Sequence, residues 1–193
     1  GLKSSRNELA WFEQLVIAML DSANTGHKQL AAELAGTLRL GRTQGRLFAM
    51  VGKAEIPEAV RKQSITALVA IEPTQAIPPL GEMLSNEKES ITIREQVANA
   101  LVGTNHPEAH AALVKALQNS PARLQATIAL GMAGSPQGGE RLLQAIEAGK
   151  ASPRLLQERA IEIRLQIAKV GNLKDRLKNL TRGLPTADQN KWT

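Results

Sequence analysis

Residues 60–84 read VRKQSITALVAIEPTQAIPPLGEML, and their apolar positions fall into two helical stripes. Val60, Ser64, Ala67, Leu68 and Ile71 recur at the spacing that places side chains on one face of a helix. Glu72-Pro73-Thr74 interrupts that stripe, because proline disfavours helical geometry in the residue before it. Ala76, Ile77, Leu80 and Leu84 then form a second stripe. Each predicted helix has one apolar face only. A pair therefore closes no core alone and needs neighbours on both sides.

The unit recurs along the chain. Ile93, Val97, Ala100 and Leu101 match Val60, Ser64, Ala67 and Leu68, while Leu113 and Leu117 match Leu80 and Leu84. A third copy reads Ala122, Ala126, Ala129 and Leu130, then Leu142 and Ile146. The turns Asn105-His106-Pro107 and Gly134-Ser135-Pro136 set proline in a helix's first turn, where its missing N–H costs nothing. A period of roughly 30 residues marks stacked repeat architectures. A weaker copy lies upstream, with Leu30, Leu34 and Leu38, then Leu47, Met50 and Val51. A divergent copy lies downstream, with Leu156, Ala160, Ile163 and Ile167.

Punctuation refines these elements. Residues 6–21 form an amphipathic helix with Leu9, Phe12, Val16 and Met19 or Leu20 on one face and Trp11 near it. This helix caps the first repeat or meets a preceding domain. Helices are predicted over residues 27–39, stopped by Gly41, and over residues 42–53. Ser90 is a predicted N-cap, and Ser120-Pro121, Ser135-Pro136 and Ser152-Pro153 each pair a capping serine with a helix-starting proline. Residues 153–169 read as one long charged helix, and residues 173–182 as the last. Gly183-Leu184-Pro185 stops it. The repeat domain so drawn covers residues 1–183, with residues 1–22 as the N-terminal capping helix. Residues 184–193 form a C-terminal linker, and from Thr186 to Thr193 its only apolar residues are Ala187 and Trp192.

Composition narrows the function classes. With 193 residues the chain suits one domain. Its longest apolar run, residues 15–20, is far short of the ~20 residues that span a bilayer, so no membrane insertion is expected of this segment. Gly1-Leu2-Lys3 carries no hydrophobic leader, and the chain reads as a piece of something longer. Cysteine is absent, which excludes disulfides, thiolate metal sites and thiol catalysis from this segment. Net charge is +6 and the isoelectric point is about 9.9. Such a balance invites nucleic acid. Yet Trp11, Phe12, Phe48 and Trp192 are the only aromatic residues, so base stacking has few platforms. A solvated surface rich in lysine and arginine is the preferred reading. The alternative is a basic nucleic-acid-binding or DNA-repair solenoid.

Candidate chemistry is sparse. His106 and His110 are four residues apart, but His106 precedes Pro107 and belongs to the turn. Glu108 stands at a helix start, where acids are expected in any case. No metal site and no cofactor are expected. Residues 131–139, GMAGSPQGG, lack the Gly-Lys-Ser/Thr end of a phosphate-binding loop and follow a helix, so they read as a turn. An Arg-x-Gln column recurs at the head of successive helices: Arg61 and Gln63, Arg94 and Gln96, Arg123 and Gln125. In a stack these residues form a ladder. The arginines are expected to pair with a carboxylate or carbonyl of a neighbouring repeat. The alternative is a polar stripe that grips a partner, and for the glutamines both readings stay open.

VRKQSITAL, IREQVANAL and ARLQATIAL, each followed by a proline-marked turn and a leucine-bearing helix, resemble the HEAT-repeat family over most of residues 27–182. The resemblance implies an all-α fold, a right-handed α-solenoid of about five HEAT-like helix pairs. It also implies protein partners and no fixed catalytic residues. SPRLLQERAIEIRL (residues 152–165) and GLPTADQ (residues 183–189) are similar to the HEAT-like region of planctomycete-type membrane-bound dehydrogenases with a haem-binding module. There a β-propeller dehydrogenase-like domain precedes the repeats and a cytochrome c domain with a CxxCH motif follows. The resemblance implies a non-catalytic scaffold and spacer between two such domains, in a periplasmic or cell-envelope protein. The haem motif itself is absent from this chain.

Overall fold

The computed structural model describes residues 2–185, with side chains from Ala10 onward. The expected linker lies outside the described residues apart from Leu184 and Pro185, and so do Trp192 and the side chain of Leu9. The fold is all-α: the described residues form eleven α-helices and no strand. None of these helices is long and apolar enough to cross a membrane. The chain divides into two compact units, residues 1–80 and 81–193.

The first unit holds α1 (Leu2–Asp21), α2 (Thr25–Thr37), α3 (Gln44–Val51), α4 (Glu58–Ile71) and the front of α5 (Pro73–Ser85). Helix α1 packs on α2 and α3, and α4 packs on both of those as well. Val16 and Leu20 of α1 are buried, whereas Trp11 is 65% exposed. On α4, Val60, Ser64, Ala67 and Leu68 are buried as the stripe predicts, and Ile65 joins them. Ala76, Ile77 and Leu80 of α5 are buried too.

Helix α2 departs from expectation. Leu30 and Leu38 are half exposed and Leu34 is half buried, while Ala31, Ala32, Ala35 and Gly36 form the buried stripe. The reason is a close helix crossing. A Cβ placed on Gly36 would stand 2.8 Å from the Ala67 Cα, so only a small residue permits this approach of α2 to α4. Helix α2 starts at Thr25 behind Asn24, whose side chain accepts from the His27 N–H. It also ends before the predicted stop. Arg39 takes the left-handed conformation (φ 52°), and Gly41 opens a short 3-10 turn, Gly41–Thr43.

The second unit holds the end of α5, then α6 (Ile91–Thr104), α7 (Pro107–Asn119), α8 (Ala122–Met132), α9 (Pro136–Glu147), α10 (Arg159–Ile167) and α11 (Leu173–Leu180). Helix α6 packs on α7 and α8, α7 on α8 and α9, α8 on α9 and α10, and α9 on α11. Ile93, Val97, Ala98 and Leu101 supply the buried face of α6, so Ala98 takes the place expected of Ala100. Leu113 and Leu117 are buried on α7, as are Leu142 and Ile146 on α9. Each was expected.

Two expectations are corrected here. In α8 the buried residues are Leu124, Ile128, Ala129 and Met132. Leu130 and Ala126 are only half buried and Ala122 is exposed. Leu124, Ile128 and Met132 repeat the spacing of Ile93, Val97 and Leu101, two residues out of step with the letter-by-letter match. The long charged helix also breaks. Residues Pro153–Gln157 form a 3-10 turn that buries Leu155 and Leu156, and α10 begins after Glu158 (ψ 112°). Adjacent buried leucines suit that tight turn better than one face of a helix. The core residues of α10 are Ile161 and Leu165, while Ala160, Ile163 and Ile167 are exposed.

The capping signals divide. Ser90, Ser135 and Ser152 accept from the backbone N–H groups of Ile93, Gly138 and Arg154, satisfying donors left free at a helix start. Ser120 does not cap. Pro121 occupies the N-cap of α8, and the Ser120 hydroxyl accepts from Arg94 instead. Gly183 is left-handed (φ 80°), the conformation that ends the last helical turn.

Candidate functional site

The last turn of a helix leaves carbonyls without intrahelical donors. Arg61 and Arg94 supply donors for two of them. Arg61 Nε donates to the Val51 carbonyl at 3.0 Å, and Arg94 Nε to the Leu84 carbonyl at 2.8 Å. Val51 closes α3 and Leu84 lies one residue from the end of α5. A guanidinium there also favours the negative end of the helix dipole. Arg61 and Arg94 are only 3% and 4% exposed, which leaves little of either side chain for a partner.

The third copy performs the same task with a different residue. Gln125 Nε2 donates to the Leu117 carbonyl at 2.8 Å, in the last turn of α7. Arg123 is exposed and reaches sideways, with Nε and Nη2 donating to the two carboxylate oxygens of Glu95 at 2.6 and 2.8 Å. Thus Arg61, Arg94 and Gln125 share one role. Arg123 stands outside it, and Gln63 and Gln96, two residues after their arginines, are half buried.

A second feature is a groove of about 500 Å³ along α7 and α9. Pro107, His110, Lys115 and Gln118 line it from α7, Arg141 and Gln144 from α9, with Lys150 just beyond. Among the described residues, no acidic side chain lines it. Two carboxylates of α9 are engaged with other side chains: Glu140 receives Gln144 at 2.9 Å and Arg176 of α11 at 2.6 Å, and Arg176 also binds Glu147. The Arg176 hydrogen bond, foremost, holds the Glu140 carboxyl below the usual range. His110 is 4% exposed. Burial first, then the charges of Arg141 and His106, lower its pKa, so the imidazole stays neutral to lower pH than an ordinary histidine.

The histidine pair is not one cluster. His106 caps α7, its Nδ1 accepting from the Glu108 N–H at 3.3 Å, while the buried His110 faces the groove. Among the described residues, no group of three or more histidine or acidic side chains is placed to hold a metal. The groove's basic residues carried no local sequence signal. They come from two helices and a turn, and only the neighbourhood of α7 and α9 joins them.

No family model matches the chain, and no curated protein matches it either.

Proposed function

We propose that the chain is a non-catalytic scaffold: a right-handed α-solenoid of about five HEAT-like helix pairs that binds proteins. The observation that supports this most is the repeated capping bond. Arg61, Arg94 and Gln125, spaced 33 and then 31 residues apart, each reach back to a carbonyl in the last turn of the preceding helix. One bond recurring at one place in successive helix pairs is the mark of a stacked repeat, in which each unit leans on its neighbours. Following the narrower resemblance, the scaffold is a spacer between a dehydrogenase-like domain and a cytochrome c domain of a periplasmic or cell-envelope protein.

Small-angle scattering tests the architecture. A solenoid gives a radius of gyration clearly above the ~16 Å of a compact domain of this length, and a value at that figure contradicts it. The encoding reading frame tests the spacer role, which needs a propeller-type segment upstream and a CxxCH segment downstream. A second reading, nucleic-acid binding, draws on the isoelectric point of about 9.9 and on the basic groove. It requires a salt-sensitive mobility shift on mixed-sequence DNA.

A further inference from the structure

Three observations in the groove along α7 and α9 point to a ligand. The first is charge. Its lining carries His110, Lys115, Arg141 and Lys150, with no acid among the described residues that line it. Arg141 and Lys150 are exposed and form no ion pair or side-chain hydrogen bond among the described residues. Lys115 meets Glu82 at 3.5 Å, but both side chains are well exposed, at 65% and 81%, so water screens this pair and a competing carboxylate displaces it at little cost.

The second observation is His110. Its side chain is more than nine-tenths buried, yet its ring has no hydrogen-bond partner among the described residues. Every fully buried side-chain nitrogen and oxygen among those residues is partnered. The ring nitrogens of His110 are therefore atoms that solvent still reaches, and the groove is the cavity they line. A neutral imidazole offers one N–H donor there, ready for an oxygen acceptor.

The third observation is shape. From Pro107 to Gln118 the groove follows α7 for about 16 Å at the helical rise per residue. An extended peptide covers that length with about five residues. Its carboxylates then meet the Arg141 guanidinium, whose planar fork matches a carboxylate with two parallel bonds. Nucleic acid fits less well, since among the described residues no aromatic side chain lines the groove to stack on a base.

We propose that the groove along α7 and α9 docks an extended acidic segment of a partner protein, its carboxylates held by Arg141, Lys115 and Lys150 and by the His110 ring. This rests on the protein-scaffold reading and names the chemistry of the partner. The test is fluorescence anisotropy with a fluorescein-labelled hexaglutamate peptide on the full chain. Saturable binding is expected, weakened at least about tenfold by the Arg141→Glu/Lys150→Glu double variant, a loss of binding free energy readable in one titration. Lys174→Glu/Lys178→Glu on α11 makes the same change in net charge and should leave the affinity within about twofold. Both pairs are exposed, so circular dichroism should find both variants folded. Absence of saturable binding, equal loss in the two double variants, or tighter binding of a hexathymidylate strand in the same groove overturns the proposal. The scattering measurement decides the scaffold architecture separately from this binding curve.

Discussion

Helices α6 and α8 carry nearly the same letters and use them differently. IREQVANAL on α6 and ARLQATIAL on α8 both present Arg-x-Gln at the helix head. On α6 the core runs through Ile93, Val97 and Leu101, and Arg94, next to Ile93, turns inward to the Leu84 carbonyl. On α8 the core runs through Leu124, Ile128 and Met132, and the residue next to Leu124 is Gln125, which turns inward to Leu117. Arg123, on the other side of Leu124, is left outside with Glu95. The buried apolar residue fixes the register, and the polar residue that follows it becomes the cap. Letter identity does not decide which arginine is structural.

Substitutions in the two helices break or sharpen this contrast. The largest effect is expected at Leu124→Ala, which should cost about 2–5 kcal/mol by lost burial and a residual cavity, whereas half-buried Leu130→Ala should cost clearly less. Equal urea midpoints for the two would place the core of α8 elsewhere. Gly131→Val drives a side chain into the α6–α8 contact, where even a Cβ added at Gly131 would stand 2.8 Å from Val102 Cγ2. Valine is stiff at its first torsion, and the overpacking should cost about 1–3 kcal/mol, read as a lowered thermal midpoint. Gln125→Ala removes one neutral hydrogen bond and should cost roughly 0.5–1.5 kcal/mol by chemical denaturation. Arg141→Ala, at the exposed groove, should leave stability within about 0.5 kcal/mol while weakening hexaglutamate binding.

Much of the fold is legible in the central copies. There Val60, Leu68, Ile93, Val97, Leu101, Leu113 and Leu117 are large apolar residues at helical spacing, and all are buried. The end copies are harder to read. Helix α2 buries alanines and a glycine because its backbone approaches α4 closely, and a search for leucine stripes ranks those residues last. Near α10, Leu155 and Leu156 enter the core side by side from a 3-10 turn, a geometry that helical spacing does not encode. For the Arg-x-Gln column, the sequence shows that the pattern recurs but not which member faces inward. That choice depends on where the preceding helix ends: Leu84 lies ten residues before Arg94, but Leu117 lies only eight before Gln125. The groove is legible only after α7 and α9 are known to be neighbours, because His110, Arg141 and Lys150 belong to no common motif.

The capping role of the buried residue beside the core position is tested most directly by Arg94→Ala and Arg123→Ala in one urea series. Arg94→Ala strips a buried carbonyl and the Ser120 hydroxyl of their charged donor and should cost about 1–3 kcal/mol. Arg123→Ala removes only an ion pair whose arginine is largely exposed and screened by water, so little stability is lost. A clear drop in midpoint for Arg94→Ala beside a near-parental curve for Arg123→Ala is the predicted result. Equal losses, or a silent Arg94→Ala, would contradict the account.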